Sequence, residues 1–497
     1  MFMPIRQFFS IHWPSICAIW ALTLVILLPF LPQHFSTDDW IRITDQQGYI
    51  REALSQSRVV NAGLFWILEQ LHINIVQHQF VFNILAWAVF SLGITILYRA
   101  LHQILNKNIS KNRSMLVAVV LVLLVFPFAI ADLWQYGFVF FPFSLAFLSG
   151  CVGVYFFFKN TRWTRWLVLG LCLGVMIGIY QPWIVLFSGL LLAYTGLDAR
   201  QNIRSKLIQT SGILSLFLVL MVLSVGWVKY GYPHFYPGAV GDPRVTGVVN
   251  IVKNLRILLG SLDEYYWANL ALGIPGLWLL TFGLSVVLLK SWYERLVFAG
   301  ICGVTVVFAY APHLFSALLL MSPRSVATVF SLPLIPILFV LSRSGFVSVA
   351  HKILIVIIVV ILGVFTVGTH SALALAQTKT NTVDAIVAKT INAQISQYEQ
   401  DAGIVVQILY FSFDQTPSVC YREIDNCWYS RYFFVRQFAP GISPSEVLRR
   451  TAPYPMLYAW TSPDKSAELF GNNVDYDIFV PTKQLKFEGE SAYLLIN

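Results

Sequence analysis

Residues 166–197 read WLVLGLCLGVMIGIYQPWIVLFSGLLLAYTGL, 32 positions without one charged side chain. A single helix of that length would run about 48 Å, well beyond the roughly 30 Å of hydrocarbon in a bilayer. It would also carry Arg200, Arg204 and Lys206 to the face opposite the other basic loops. The run therefore divides at Tyr180-Gln181-Pro182, where proline suits the first turn of a new helix. Two half-length helices at membrane depth are tolerated only where their junction lines a cavity buried in protein.

Working outward, the whole chain has the same character. Of its 497 residues 57% are hydrophobic and 11% charged, where a soluble protein carries roughly 25% charge. A soluble globular fold is excluded. Apolar runs near 12–32, 79–101, 115–132, 137–158, 166–180, 182–197, 207–228, 267–289, 296–313, 325–342 and 353–369 predict about eleven crossings of a polytopic α-helical membrane protein. No cleavage site of small residues follows the first run, so it reads as a retained helix. With the N-terminus cytoplasmic, the inner loops hold fifteen Lys and Arg against Asp198 and Glu294, while the outer loops hold eight against nine acids. This satisfies the positive-inside rule. An odd number of crossings then puts the C-terminus outside as well. The formal charge of +9 is scattered between apolar runs, so it reads as a topology signal and predicts no nucleic-acid partner.

Residues 370–497 carry 23 of the 57 charged residues in a quarter of the length. They predict a small water-facing α+β domain behind a membrane domain of residues 1–369. Strands are expected at 404–413 and 476–480 and a helix at 382–400. Cys420 and Cys427 lie in this outer domain, where an oxidising compartment would let them pair. Spacing alone leaves that open. Cys17, Cys151, Cys172 and Cys302 read as small packing residues. His12, His72, His78, His102, His234, His313, His351 and His370 show no zinc-ligand spacing, and no nucleotide-binding glycine pattern appears.

The first outer loop, 33–78, is longer than a helix connection needs and opens Ser36-Thr37-Asp38-Asp39-Trp40-Ile41-Arg42. After it, Leu54, Val59, Val60, Leu64, Phe65, Leu68 and Leu71 give residues 50–71 the spacing of a helix lying in the interface. Two adjacent carboxylates at a membrane surface are an expensive choice without a role. The competing reading is a cap for a helix whose first turn holds residues 40–43. Further along are the outer turn Asp132-Leu133-Trp134-Gln135-Tyr136, the Gly178-Ile179-Tyr180-Gln181 element and Pro323-Arg324. The outer loop 230–267 holds Tyr232, His234, Tyr236, Asp242, Arg244, Lys253 and Arg256, and most of its aromatics fit an aromatic belt.

These elements resemble integral-membrane glycosyltransferases of the GT-C class, and within it the Gtr-type (GtrII-like) O-antigen glucosyltransferases associated with serotype conversion. The resemblance rests on Asp38, Asp39, Arg42, Gly48 and Arg58 after a first helix, and on the three later elements. Ser57 departs from it, because glycine is expected before Arg58. The resemblance implies a polyprenyl-phosphate sugar donor, such as undecaprenyl phosphate carrying glucose. It implies an O-antigen, lipopolysaccharide or lipid-linked glycan acceptor at the periplasmic face of a bacterial inner membrane, with inversion at the anomeric carbon. Asp39 is the expected base, with Asp38 orienting it, positioning the acceptor or holding a divalent cation such as magnesium or manganese. Arg42, Arg58 and Arg324 are expected at the donor phosphate, since the guanidinium fork suits phosphate oxygens. Tyr180, Gln181, Asp132 and Tyr136 are expected at the sugars. Arg324 reads equally as a snorkelling residue, and Gln181 as an interhelical hydrogen-bond partner. Expected partners include membrane lipid, a donor-synthesising transferase and a donor flippase. A transporter or flippase of lipid-linked glycan, or an O-antigen polymerase or ligase, is the competing class. The absence of repeated halves and the gathering of acids at the outer face favour chemistry there.

Overall fold

The computed structural model describes residues 5–34, 39, 46–105, 110–127, 130, 133–134, 136–160, 162–181, 183–198, 201–247, 249–261, eight positions between 283 and 303, 334–342, 349–413, 445, 447–449, 457–471 and 480–496. The architecture is mostly helical. In chain order come α1 (Ile5–Leu27), α2 (Gln46–Ser55), α3 (Val59–Gln70), α4 (Gln79–Leu105), α5 (Lys111–Val125), α6 (Phe140–Lys159), α7 (Thr164–Ile179), α8 (Trp183–Leu197), α9 (Ile203–Gly226), α10 (Ile251–Ser261), α11 (Leu334–Ser342) and α12 (Val349–Ala402).

Among the described residues five helical stretches are long and apolar enough to cross a membrane: Gln7–Phe30, Gln79–Leu105, Gly137–Lys159, Ile203–Phe235 and Ile353–Ala402. The chain is a membrane protein. The expected crossings at 267–289 and 296–313 fall almost wholly outside the described residues. The charge-free run of 166–197 breaks into α7 and α8, with Tyr180 extended at φ −152° and ψ 104° between them. One large apolar core joins α1 and α4 to α8, and the packing of α6 on α4, α7 and α8 is built on glycines. At Gly93 an added Cβ would lie 2.7 Å from Phe147, at Gly150 2.5 Å from Phe187 and at Gly153 2.9 Å from Cys172.

The expected interfacial helix over 50–71 is instead two helices, α2 and α3. Ser57 closes α2 at φ +62°, its N–H donating to Leu54 O (3.1 Å) and that of Arg58 to Ala53 O (2.8 Å). That pairing is the Schellman closure of a helix. Apolar periodicity alone does not register it, because the same stripe continues on both sides of the turn. Tyr49, Ile50 and Ala53 of α2 and Ala62, Phe65 and Leu68 of α3 are buried in the main core.

The 54 residues of α12 would extend about 80 Å, far beyond a bilayer. Its first half packs in the main core through Ile355, Ile358, Val359, Leu373 and Ala374. Its last turns pack in a second core through Val387, Ala388, Ile391 and Ile395. The helix crosses 369–370 without interruption. Its His370 ring lies 6.2 Å from Phe30, just beyond the end of α1. The second core therefore lies beyond the end of the bundle where α1 finishes.

That core is shared with a four-stranded sheet in the order β2-β1-β4-β3, formed by β1 (Ile408–Phe413), β2 (Leu457–Trp460), β3 (Leu485–Glu488) and β4 (Ser491–Ile496). Strand β1 is parallel to both neighbours, and β3 pairs antiparallel with β4. Glycine at 489, φ +58°, serves the two-residue turn between β3 and β4. Of the expected strand at 404–413, residues Ile408–Phe413 form β1. The one at 476–480, like Cys420 and Cys427, lies outside the described residues.

Candidate functional site

The segment after α1 folds against the segment that leads into α6. Asp39 is fully buried, and its two carboxylate oxygens accept from the backbone N–H groups of Gly137 (3.2 Å) and Phe138 (3.0 Å). Those amides open the single turn Gly137–Val139 that runs directly into α6. A helix start leaves N–H groups without intrahelical partners and carries partial positive charge, so a carboxylate there is stabilised in its charged form. Asp39 therefore caps a helix start about a hundred residues away; the expected helix at 40–43 lies outside the described residues. Asp38, Arg42, Asp132 and Arg324 lie outside the described residues.

A second cluster forms at the break between α7 and α8. Arg58, half-buried at the start of α3, donates from Nε to the Gln181 side-chain carbonyl at 3.2 Å. Its guanidinium sits 5.7 Å from the centre of the Tyr180 ring. Gln181 in turn donates from Nε2 to Gln56 O at 2.5 Å, so its amide bridges the α2–α3 turn on both sides. The Tyr180 ring is also stacked by Phe143, at 3.9 Å and 24°. Gly178 lets α7 approach α3, since an added Cβ would lie 2.6 Å from the Val60 side chain. Three sequence-predicted residues, Arg58, Tyr180 and Gln181, are thus brought together from positions more than 120 apart.

Helix α6 relates the two clusters. Its entry holds Asp39, and Phe143, five residues beyond Phe138, holds Tyr180; five residues of helix rise about 8 Å. Phe138 also packs on Tyr49 of α2 at 5.4 Å and Phe65 of α3 at 6.5 Å. Tyr136, buried, lies 6.3 Å from the Phe138 ring. The buried carboxylate and the arginine cluster therefore share one end of the bundle.

The loop 227–247 completes this end. Trp227 donates from Nε1 to Leu54 O at 2.8 Å and the Asp242 N–H to Ser55 O at 3.3 Å, satisfying carbonyls at the end of α2. Trp227 and Asp242 thus dock on this turn. Sequence reasoning also missed His34, Gln79 and Asn83, all buried around the Asp39 turn. Gln79 and Asn83, one turn apart at the start of an apolar run, were the available signal.

Each Asp39 oxygen accepts one backbone N–H and keeps a second lone pair, so a divalent cation expected at Asp38–Asp39 would share this carboxylate with the turn amides. Among the described residues no three His, Cys, Asp or Glu side chains come together.

A family model described as "Glucosyl transferase GtrII" matches residues 27–341, well over half of the chain. The chain belongs to the GtrII glucosyl transferase family. No curated protein and no solved structure matches it. The GtrII match spans both clusters and begins at the last residue of α1. It identifies this membrane protein as a glycosyltransferase, acting between a sugar donor and a glycan acceptor.

Proposed function

We propose that the chain moves glucose from a polyprenyl-phosphate donor to an O-antigen or lipid-linked glycan at the periplasmic face of a bacterial inner membrane, with inversion in a single displacement. A carboxylate of the Asp38–Asp39 pair takes the proton of the attacking hydroxyl while that oxygen bonds to the anomeric carbon. The bond from that carbon to the phosphate oxygen breaks on the opposite face, and polyprenyl phosphate departs with the electron pair. Arg58, with Arg42 and Arg324, offsets the negative charge that grows on the phosphate. Tyr180, Gln181, Asp132 and Tyr136 contribute to sugar binding.

The observation that carries this reading is the held arginine. A guanidinium at a break between two apolar helices is costly in lipid, and Gln181 and Tyr180 fix it in one place. A fixed fork of donors beside an apolar surface suits a phosphate whose lipid tail stays in the membrane. In the same reading residues 1–369 form the catalytic domain with its periplasmic loop 33–78, residues 370–497 a periplasmic domain, and the N-terminus is cytoplasmic. A donor-synthesising transferase and a donor flippase supply the substrate.

The test is mass spectrometry of the surface polysaccharide from cells making the wild-type chain or its variants. A hexose increment with wild type, lost in Asp39→Asn and in Arg58→Ala while both proteins still insert, is expected. An increment that survives both substitutions overturns the assignment.

A further inference from the structure

Asp39 owes its position to a turn that other residues hold in place. The turn leading into α6 is fixed from outside by two buried side chains, His34 and Gln79. His34, 4% exposed, has Nε2 at 2.8 Å from Trp134 O, so that ring N–H donates to the carbonyl three residues before Gly137. The other ring nitrogen, Nδ1, lies 2.9 Å from Pro32 O and 3.5 Å from the Gln79 side-chain nitrogen. Gln79 is fully buried at the first position of α4, and its Oε1 accepts the backbone N–H of His34 at 2.9 Å. The same amide presses on the turn: a Cβ on Gly137 would lie 1.7 Å from Gln79 Nε2. Trp134 anchors the turn from within, its ring packed on Phe90 at 5.6 Å and Phe140 at 4.9 Å.

The described residues of the first loop and of the turn into α6 are therefore joined at two points. His34 joins them at Trp134, and Asp39 joins them at Gly137 and Phe138. Gln79 braces both, through the His34 amide and against Gly137. Loss of the first join frees the second to shift with the turn.

We propose that His34 and Gln79 are positioning residues for transfer: they fix the turn into α6 whose amides hold Asp39, and so set where that carboxylate meets the acceptor. This inference rests on the proposed part of Asp39 in the chemistry. A misplacement of about 1 Å at a reacting group lowers turnover by roughly 100-fold.

The test uses the full-length chain with undecaprenyl-phosphate glucose and a lipid-linked glycan, comparing His34→Ala, His34→Gln, Gln79→Leu, Asp39→Asn and the double variant His34→Ala with Asp39→Asn. The expected result is a kcat about 10- to 100-fold lower for His34→Ala and Gln79→Leu at near-constant donor KM. His34→Gln, which keeps a side-chain N–H for the Trp134 carbonyl, should recover most of it. In the Asp39→Asn background His34→Ala should have no further effect on residual turnover, since residues acting through one group are not additive. Hydrogen exchange at 133–139 should quicken in His34→Ala and not in His34→Gln, which keeps the result readable if an alanine variant folds poorly. Wild-type kcat in His34→Ala and Gln79→Leu, or an equal loss with and without the Asp39 carboxylate, overturns the positioning role while leaving the Asp39 reading intact. Full activity of Asp39→Asn overturns the Asp39 reading itself, and this inference with it.

Discussion

Ser57 holds a left-handed backbone at φ +62° immediately before Arg58. A side chain there costs about 1 kcal/mol that glycine avoids. Ser57→Gly should therefore be tolerated to within about 0.5 kcal/mol, the relief being offset by the freer unfolded chain, whereas Ser57→Val should lose about 1–2 kcal/mol by thermal unfolding. Glycine was the residue expected here from the family resemblance, and the backbone explains why. Asp39→Ala would leave two buried N–H groups unpaired, at about 1–3 kcal/mol each. His34 adds a pH dependence. Burial pushes its imidazole below the ordinary 6.5, and contact with the Pro32 and Trp134 carbonyls only partly opposes this. The unfolded chain then takes up the proton more readily than the folded one. The stability held by the neutral ring is complete above about pH 6.5 and is lost as pH falls towards the folded value. Wild type should lose more thermal stability than His34→Gln between about pH 7 and about pH 5.5. Asp39 and His370, the neighbouring titratable groups across the turn and across Phe30, are present in both proteins, so the comparison isolates His34.

The elements were legible where a break in pattern was chemical and illegible where it was conformational. Tyr180-Gln181-Pro182 interrupts an apolar run with polar and ring-constrained residues, and α7 and α8 part there. The turn between α2 and α3 interrupts nothing in the apolar stripe, since Leu54 and Val59 continue it, so the two helices read as one. Arg58, Tyr180 and Gln181 could be chosen as site residues individually, but their meeting depends on Gly178, whose missing side chain admits Val60. Gly178→Val should separate α3 from α7, weaken the Arg58–Gln181 contact and lower transfer at least 10-fold, by the scale of a misplaced substrate-binding group. Adding Val60→Ala should return part of the activity. Equal activity in Gly178→Val and wild type would show that the α3–α7 contact does not position Arg58. Gly137 was equally invisible, because its constraint comes from Gln79, a residue 58 positions earlier that looks like the ordinary first residue of a helix.

At the scale of the molecule, one long helix links the apolar bundle to the sheet. Because α12 passes Phe30 before entering the second core, the sheet and the Asp39–Arg58 end project from the same side of the bundle. The opposite end carries the α6–α7 connection with exposed Trp163. An impermeant maleimide should therefore label Gln47→Cys and Trp460→Cys together on intact spheroplasts, and Trp163→Cys only after permeabilisation. Charge counting in the loops likewise predicts the tail and the first loop on one side, because topology is written in local charge. The sheet's order and the path of α12 depend on long-range pairing, which no local pattern carries. The central claim is that sugar transfer occurs at the bundle end where Asp39 and Arg58 are held. Its most direct test is transfer of labelled glucose from undecaprenyl-phosphate glucose to a lipid-linked O-antigen by the purified full-length chain, wild type against Asp39→Asn and Arg58→Ala. The account predicts glycan labelling by wild type and loss of at least about 100-fold in each variant, on the scale of a lost general base or charge-stabilising group. Undiminished labelling by both folded variants would contradict it.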